Sequence, residues 1–403
     1  MKKPSLLVIF LTVFIDLIGF GIVLPLLALF ADKFGASGWV IGALMASFSA
    51  MQFIFAPFWG GLSDKIGRRP VLLVSIFSSV IGYAIFGFAS GLSGTTALVG
   101  LFIARILAGI GGANITVAQA YIADITPPED RSKKMGLVGM AFGLGFIVGP
   151  IIGGLCLDKF GITGPGWVAA GLCLLNVIFA YFRLPESMDP ANKLAAPKRP
   201  RFAQWRHTLS QPKVGLLILI FFLATFCFAC FETTLGLLVS KNFNLDITVK
   251  GHHASEIVYL FAYCGIVGAF VQGGAIGKAV KKLGEPKLII LSLLMVAVSL
   301  PPLPYCTTWV PLLIMLGILS IGSSLTRPPV FGMISNLTSA SEQGVTLGVA
   351  QSMGSLARIF GPLFAATLFT LHPTWPYMAC GVISALTAVI AVPKLLGTPS
   401  SKA

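Results

Sequence analysis

The sequence predicts an all-α integral membrane protein with twelve transmembrane helices in two pseudo-symmetric six-helix bundles. Composition, the length of the apolar runs and the placement of charge all lead there. The 403 residues are 56% hydrophobic and only 10% charged, against about 25% in a soluble domain, and mean hydropathy is +0.91. A water-soluble fold of this composition would expose large apolar areas, so the solvent must be lipid. The apolar runs are about 20 residues long, which suits a helix crossing a bilayer and exceeds what a barrel strand uses. Lipid offers no partner to an unpaired backbone group, so each run must close its own hydrogen bonds as a helix.

The first run, 5–31, follows Met1-Lys2-Lys3 and contains Asp16. Its length, that acid and the lack of a small-residue cleavage site predict a retained span rather than a signal peptide. Runs at 38–60, 70–89, 96–122, 134–156 and 166–184 complete one set of six. A second set covers 214–239, 254–277, 287–304, 309–335, 345–370 and 374–393. The stretch 185–213 includes PESMDPANKLAAPKRPRF, with the proline and basic content of a solvated linker. The predicted organisation is a bundle at 1–184, a cytoplasmic linker at 185–213 and a bundle at 214–403.

Charge sets the orientation. With the N-terminus inside, the outer loops hold Lys33, Lys159, Lys241 and Lys250, and Arg105, Arg327 and Arg358 fall inside spans. All the others of the 28 Lys and Arg lie on the inner face. That asymmetry predicts cytoplasmic termini and a multi-pass protein of a bacterial-type inner membrane. The net charge of +14 is this topology signal, so no nucleic-acid partner is expected. The seven cysteines lie in or beside apolar runs. Cys227-x-x-Cys230 has redox spacing but no strand context, so packing as small hydrophobes is expected. The four histidines form no metal-ligand pattern, and His252-His253 reads as a loop element.

The densest charge occurs at 60–72, GGLSDKIGRRPVL. Gly60 and Gly67 permit tight backbone geometry and close helix approach. Asp64 can accept from a helix N-terminus or pair with an arginine, and Arg68 and Arg69 can pair with Asp124 or Glu129. Such contacts suit a cytoplasmic gate; the alternative is that Lys65, Arg68 and Arg69 only anchor the topology. The halves also look related. Gly60-x6-Gly67 is answered by Gly277-x6-Gly284, and Gly149-Pro150 by Gly361-Pro362, at offsets of 217 and 212 residues. Lys281 stands where Asp64 does, so the second loop cannot repeat the first. Paired repeats of this kind are the architecture of many secondary transporters, with cargo held near the bilayer midplane.

These residues carry a resemblance. Gly60-Gly-Leu-Ser-Asp64-Lys-Ile-Gly67-Arg68-Arg69 resembles the signature loop of the major facilitator superfamily. Arg105-Ile-Leu-Ala-Gly109-Ile-Gly111-Gly112-Ala113 resembles its fourth-helix motif. Gly145-Phe-Ile-Val-Gly149-Pro150-Ile-Ile-Gly153-Gly154 resembles the fifth-helix motif associated with antiporters. The N-terminal half is similar to the drug:proton antiporters, including tetracycline efflux proteins. It shares Arg69-Pro-Val-Leu-Leu-Val-Ser75, Tyr121-Ile-Ala-Asp124-Ile-Thr126 and Leu184-Pro-Glu-Ser187 with them. The resemblance implies a major facilitator fold, proton-driven antiport and functional roles for Asp16 and Arg105. By composition alone, Gly149 and Pro150 are a packing and hinge device.

Charges inside the spans are the remaining signal. Asp16 lies about 18 Å into span 1 and Arg105 about 14 Å into span 4, at 1.5 Å per residue. The two can meet at similar depth, as a proton-coupling pair or as a permanent ion pair. Glu232 in span 7 aligns with Gly21 when Leu24-Pro-Leu-Leu is set against Leu235-Gly-Leu-Leu, so it is an addition of the second half and a second candidate for proton coupling. Arg327 and Arg358 either leave a positive charge for cargo or are neutralised internally. Gln52, Asn114, Gln119 and Gln351 are candidate cargo contacts, each with an interhelical hydrogen bond as its alternative. The expected activity is proton-coupled efflux of a small amphipathic drug or metabolite by a monomer in the lipid bilayer. No cofactor is expected beyond the proton gradient. An organic-anion or metabolite exporter using the intramembrane arginines is the second reading, and an enzyme is not expected, since no convergent catalytic groups are visible.

Overall fold

The computed structural model describes residues 4–112, 115–127, 131–187, 201–245, 253–338 and 343–396, and the regular structure among them is helical. In chain order the helices are α1 (Leu6–Lys33), α2 (Gly38–Ile66), α3 (Arg68–Ser90), α4 (Gly94–Gly112), α5 (Ile115–Asp124), α6 (Arg131–Phe160) and α7 (Gly164–Arg183). Then follow α8 (Arg201–Ser210), α9 (Pro212–Asn242), α10 (His253–Phe270), α11 (Ile276–Leu283), α12 (Glu285–Ser299), α13 (Trp309–Leu337), α14 (Gln343–Leu371) and α15 (Trp375–Leu396).

Among the described residues, 11 stretches are long and apolar enough to cross a membrane, with α4 and α5 belonging to one of them, Gly94–Asp124. The eighth expected span departs from regular helix. α10 runs without a break through a π-helical turn at Val271–Ala275 into α11. The turn reads Val-Gln-Gly-Gly-Ala, and its paired glycines give the backbone the freedom to widen. With α10 and α11 taken together, the twelve-helix architecture is accommodated. Prolines lie inside α1 (Pro25), α6 (Pro150), α13 (Pro328, Pro329) and α14 (Pro362), and each helix continues past them. Lipid-embedded helices tolerate this because neighbouring groups take up the freed carbonyls.

Packing divides the chain into two units, Met1–Ala196 with Asn244–Gly265, and Pro197–Phe243 with Ile266–Ala403. The first is built on Ile9, Val13, Leu72, Ile76, Val117 and Tyr121, each at most 4% exposed. The second is built on Ile218, Phe221, Ile289, Leu293, Val330 and Ala391. Large apolar side chains also remain outside, among them Phe88 at 64% and Val389 at 67% exposure. In a multi-pass membrane protein these face lipid, which costs them nothing.

The linker is more structured than its composition suggests. Within 185–213, α8 forms and seats Trp205 and Thr208 on the second unit. One half-buried and one buried position three residues apart in a short polar segment leave too faint a periodicity to read.

The repeated turns are alike. α2 and α3 are joined by Gly67 alone at φ 107°, and α11 and α12 by Gly284 alone at φ 79°. Both values lie in the left-handed region that only glycine enters freely, which accounts for the second glycine of each Gly-x6-Gly. The first glycines have no such duty: a Cβ at Gly60 or Gly277 would meet none of the described residues. The close approach expected of Gly60 is therefore corrected and falls to Gly67.

Candidate functional site

A cluster of polar and charged side chains lies deep in the first unit. Asp16, near the middle of α1, is 8% exposed and Arg105, on α4, 2%. The Cys173 thiol of α7 points at Asp16 Oδ1 from 4.0 Å, and Asn176, one turn further, donates to the Thr12 carbonyl at 2.8 Å. Tyr83 of α3 feels the charges of both Asp16 and Arg105, and Gly19 leaves room for its ring and for Cys173. The Arg105 guanidinium lies over the Phe48 ring at 4.5 Å and the Phe20 ring at 5.7 Å. Phe20 follows Asp16 by one turn of α1, so the two opposite charges are brought to one depth. Cation–π contact solvates the arginine where water is scarce.

The motif glycines bring the supporting helices together. A Cβ at Gly149 would stand 2.6 Å from Gly21 Cα, and one at Gly145 2.9 Å from Leu17 Cβ. Spaced four residues apart, Gly145, Gly149 and Gly153 form one stripe on α6 that lies against α1 backbone. Gly109 and Gly112 do the same for α4 against Phe48 of α2. The carbonyls at the end of α4 are taken by side chains: Gln52 bonds Gly112 at 2.9 Å, Trp59 bonds Ile110 at 2.8 Å, and Ser75 bonds Gly111. Gln52 is thus engaged in an interhelical bond.

At the α2–α3 turn, the acid that serves the helix N-terminus comes from elsewhere. Glu186, beyond α7, accepts from the backbone N–H of Arg68 at 2.8 Å and of Arg69 at 3.1 Å. Its carboxylate fills the space a Gly67 Cβ would need. An anion there offsets the helix dipole and takes up open N–H groups. Arg68 pairs with Asp124 at 3.1 Å and donates to Ser63 at 2.6 Å; Ser187 also donates to Asp124 at 2.9 Å. Arg69 donates to the Tyr181 carbonyl at 2.7 Å. These contacts all join members of one unit, so they fix α2, α3, α5 and the end of α7 to one another. In the second unit the corresponding helix, α12, carries its own acid, Glu285, in its first turn. Replacing Glu186 by Ala is expected to cost about 1 kcal/mol, the usual loss for an N-terminal cap, and to lower the midpoint of thermal unfolding. An unchanged midpoint would show that the cap is idle.

The second unit holds a different set of charges. Glu232 and Arg327 are half-buried on α9 and α13. Arg358 lies mid-way along α14 with part of its surface open, at a depth where a cation facing lipid would be expensive. Arg358 feels the charge of Glu232, and Arg327 that of Arg358. Arg327 also lies 5.3 Å over the Phe331 ring. The offset that sets Leu24 against Leu235 puts Cys227 opposite Asp16. Cys227 contacts α15 through the Cys380 carbonyl at 3.5 Å, as Asp16 contacts α7 through Cys173. Gly361 packs on Phe226 and Ala229 of α9, as Gly149 packs on α1.

Of the residues singled out from sequence, the structure gathers Asp16 with Arg105, Arg68 with Asp124, and Glu232 with Arg358 and Arg327. Gln119 and Gln351 are half-buried. Asn114, Glu129 and the Asp64 side chain lie outside the described residues. Sequence reasoning missed Tyr83, Cys173, Phe20, Phe48 and Glu186 as members of these sites. Of these only Glu186, a lone acid just past a span in the shared Leu-Pro-Glu-Ser wording, left a signal.

Two helical units with charges held at membrane depth define a polytopic membrane transporter rather than an enzyme. The sequence matches the Major Facilitator Superfamily over residues 9–306 and 273–403, and the chain belongs to that family. It is 32% identical over 406 residues to the tetracycline resistance protein, class C, of Escherichia coli, covering 98% of this chain and 97% of that one. It is 28% identical over 386 residues to multidrug resistance protein 2 of Bacillus subtilis (strain 168), covering 95% and 93%. The crystal structure of the human organic anion transporter MFSD10 (TETRAN) shares the fold at TM-score 0.70 and 23% identity, covering 97% of this chain and all of that one.

Proposed function

We propose that this protein exchanges protons for small amphipathic drugs or metabolites and exports them across a bacterial inner membrane, acting as a single chain. The observation that carries this reading is the enclosed carboxylate Asp16, set one helical turn from the site where Arg105 is stacked. The proton affinity of a carboxylate depends on its hydration and on the distance of a neighbouring cation. A conformational change that moves Arg105 relative to Asp16 therefore loads or releases a proton, and this ties the proton to the step that carries cargo. The names of the relatives, tetracycline and multidrug resistance proteins, support an amphipathic drug as cargo. The excess of Lys and Arg on one set of loops supports cytoplasmic termini.

The organic-anion reading is not favoured. It leaned on Arg327 and Arg358, and the acid Glu232 lies near enough to act on the charge of Arg358. The likeness to the organic anion transporter, at 23% identity, bears on fold alone.

Expression in cells stripped of their own exporters tests the proposal. Accumulation of an amphipathic fluorescent dye should fall, and a protonophore should restore it. A fall that survives the protonophore would argue for another energy source, and no fall for another class of cargo.

A further inference from the structure

Among the described side chains of α8, one side is held and the other is exposed. Trp205 packs against the core of the second unit and Thr208 is 3% exposed. Gly215 of α9 closes against the Leu209 carbonyl. The remaining surface presents Arg206, His207, Leu209 and Ser210, all exposed. Two residues after α8 ends, Pro212 opens the 31-residue apolar span of α9, with Lys213 exposed in its first turn. The helix therefore lies where a span leaves the bilayer, at the level of lipid headgroups.

Its charge is one-sided. From Pro190 to Lys213 the sequence holds Lys193, Lys198, Arg199, Arg201, Arg206 and Lys213 and no Asp or Glu. Among the described residues, neither Arg206 nor Lys213 is in an ion pair. Leu209, 39% exposed, offers an apolar contact beside these cations. At that level a short basic helix with an apolar contact beside its cations attracts anionic headgroups electrostatically while its aliphatic stems rest on acyl chains.

We propose that Arg206 and Lys213 form a binding site for anionic phospholipid headgroups in the leaflet where α9 begins. The site is independent of the transport reading. It would tie the linker helix, and through Trp205 the second unit, to the membrane surface.

Native mass spectrometry of the full chain, released from bilayers of equal phosphatidylglycerol and phosphatidylethanolamine, tests it. Each cation near a membrane surface is worth about fivefold in affinity for anionic lipid. The wild type should retain phosphatidylglycerol over phosphatidylethanolamine by about fivefold or more. The double variant Arg206→Gln/Lys213→Gln should fall to near parity, while the charge-preserving Arg206→Lys/Lys213→Arg should hold the preference. Lys33→Gln, on a different loop, should leave it unchanged. No preference in the wild type, an undiminished preference in the glutamine variant, or an equal loss in either control would overturn the site.

Discussion

Gly149→Leu is expected to abolish accumulation of folded protein. A Cβ at position 149 would stand 2.6 Å from Gly21 Cα and 2.9 Å from the Ile18 carbonyl oxygen. Both are backbone atoms of α1, so no side chain can rotate away; α1 and α6 must separate. Overpacking ordinarily costs about 1–3 kcal/mol, and a leucine wedged against backbone belongs at or above the top of that range. Separation would also disturb Asp16, which sits on α1 one turn before the crossing. The control lies on the same helix: a Cβ at Gly143 meets none of the described residues, so Gly143→Leu should leave yield and melting temperature close to wild type. Fluorescence-detected size-exclusion chromatography reads both. A monodisperse Gly149→Leu peak at wild-type height would refute the packing.

The second large effect is expected at Asp16. Asn has the same shape and can keep most of the hydrogen bonding but cannot take up and release a proton. Asp16→Asn should therefore fold, with a stability change within about 1 kcal/mol, and should lose transport driven by a pH gradient. Cargo binding and exchange of cargo for cargo need no proton and should persist. This pattern separates coupling from a structural ion pair, because removal of a structural charge would lower stability and every mode of flux together.

Much of the architecture could be read in the chain because lipid imposes a simple rule: a run of about 20 apolar residues must be a helix. Gly67 and Gly284 announced their turns because the connection needs a positive φ. The stripe Gly145, Gly149, Gly153 announced a close crossing, although nothing in the sequence said that α1 would supply the partner surface. Depth along a span is countable at 1.5 Å per residue, which is why Asp16 and Arg105 could be set at one level.

What failed to appear in the sequence depends on long-range packing. Glu186 reaches the start of α3 across more than a hundred residues; the shared Leu-Pro-Glu-Ser wording drew attention to it, but nothing local names the helix it caps. Of the two readings open for Gln52, the interhelical one has its partner in the Gly112 carbonyl, because the end of α4 leaves acceptors that must be satisfied; the sequence did not name that partner. The π-helical turn at Val271–Ala275 lies inside an apolar run, where composition is blind to helix width. The contacts of Arg68 with Asp124 and Ser63 gather on one unit and tie its α2–α3 turn to the end of α5. A role for Gly60, Asp64, Arg68 and Arg69 in gating stays a proposal that builds on that tie.

Proton coupling at Asp16 is the central claim, and proteoliposome flux tests it most directly. Cargo uptake is followed with and without an imposed pH gradient, for wild type and for Asp16→Asn. The account predicts that the gradient drives the wild type to accumulate cargo, whereas Asp16→Asn only equilibrates it at the same rate with or without the gradient. Gradient-driven accumulation by Asp16→Asn equal to that of the wild type would contradict it.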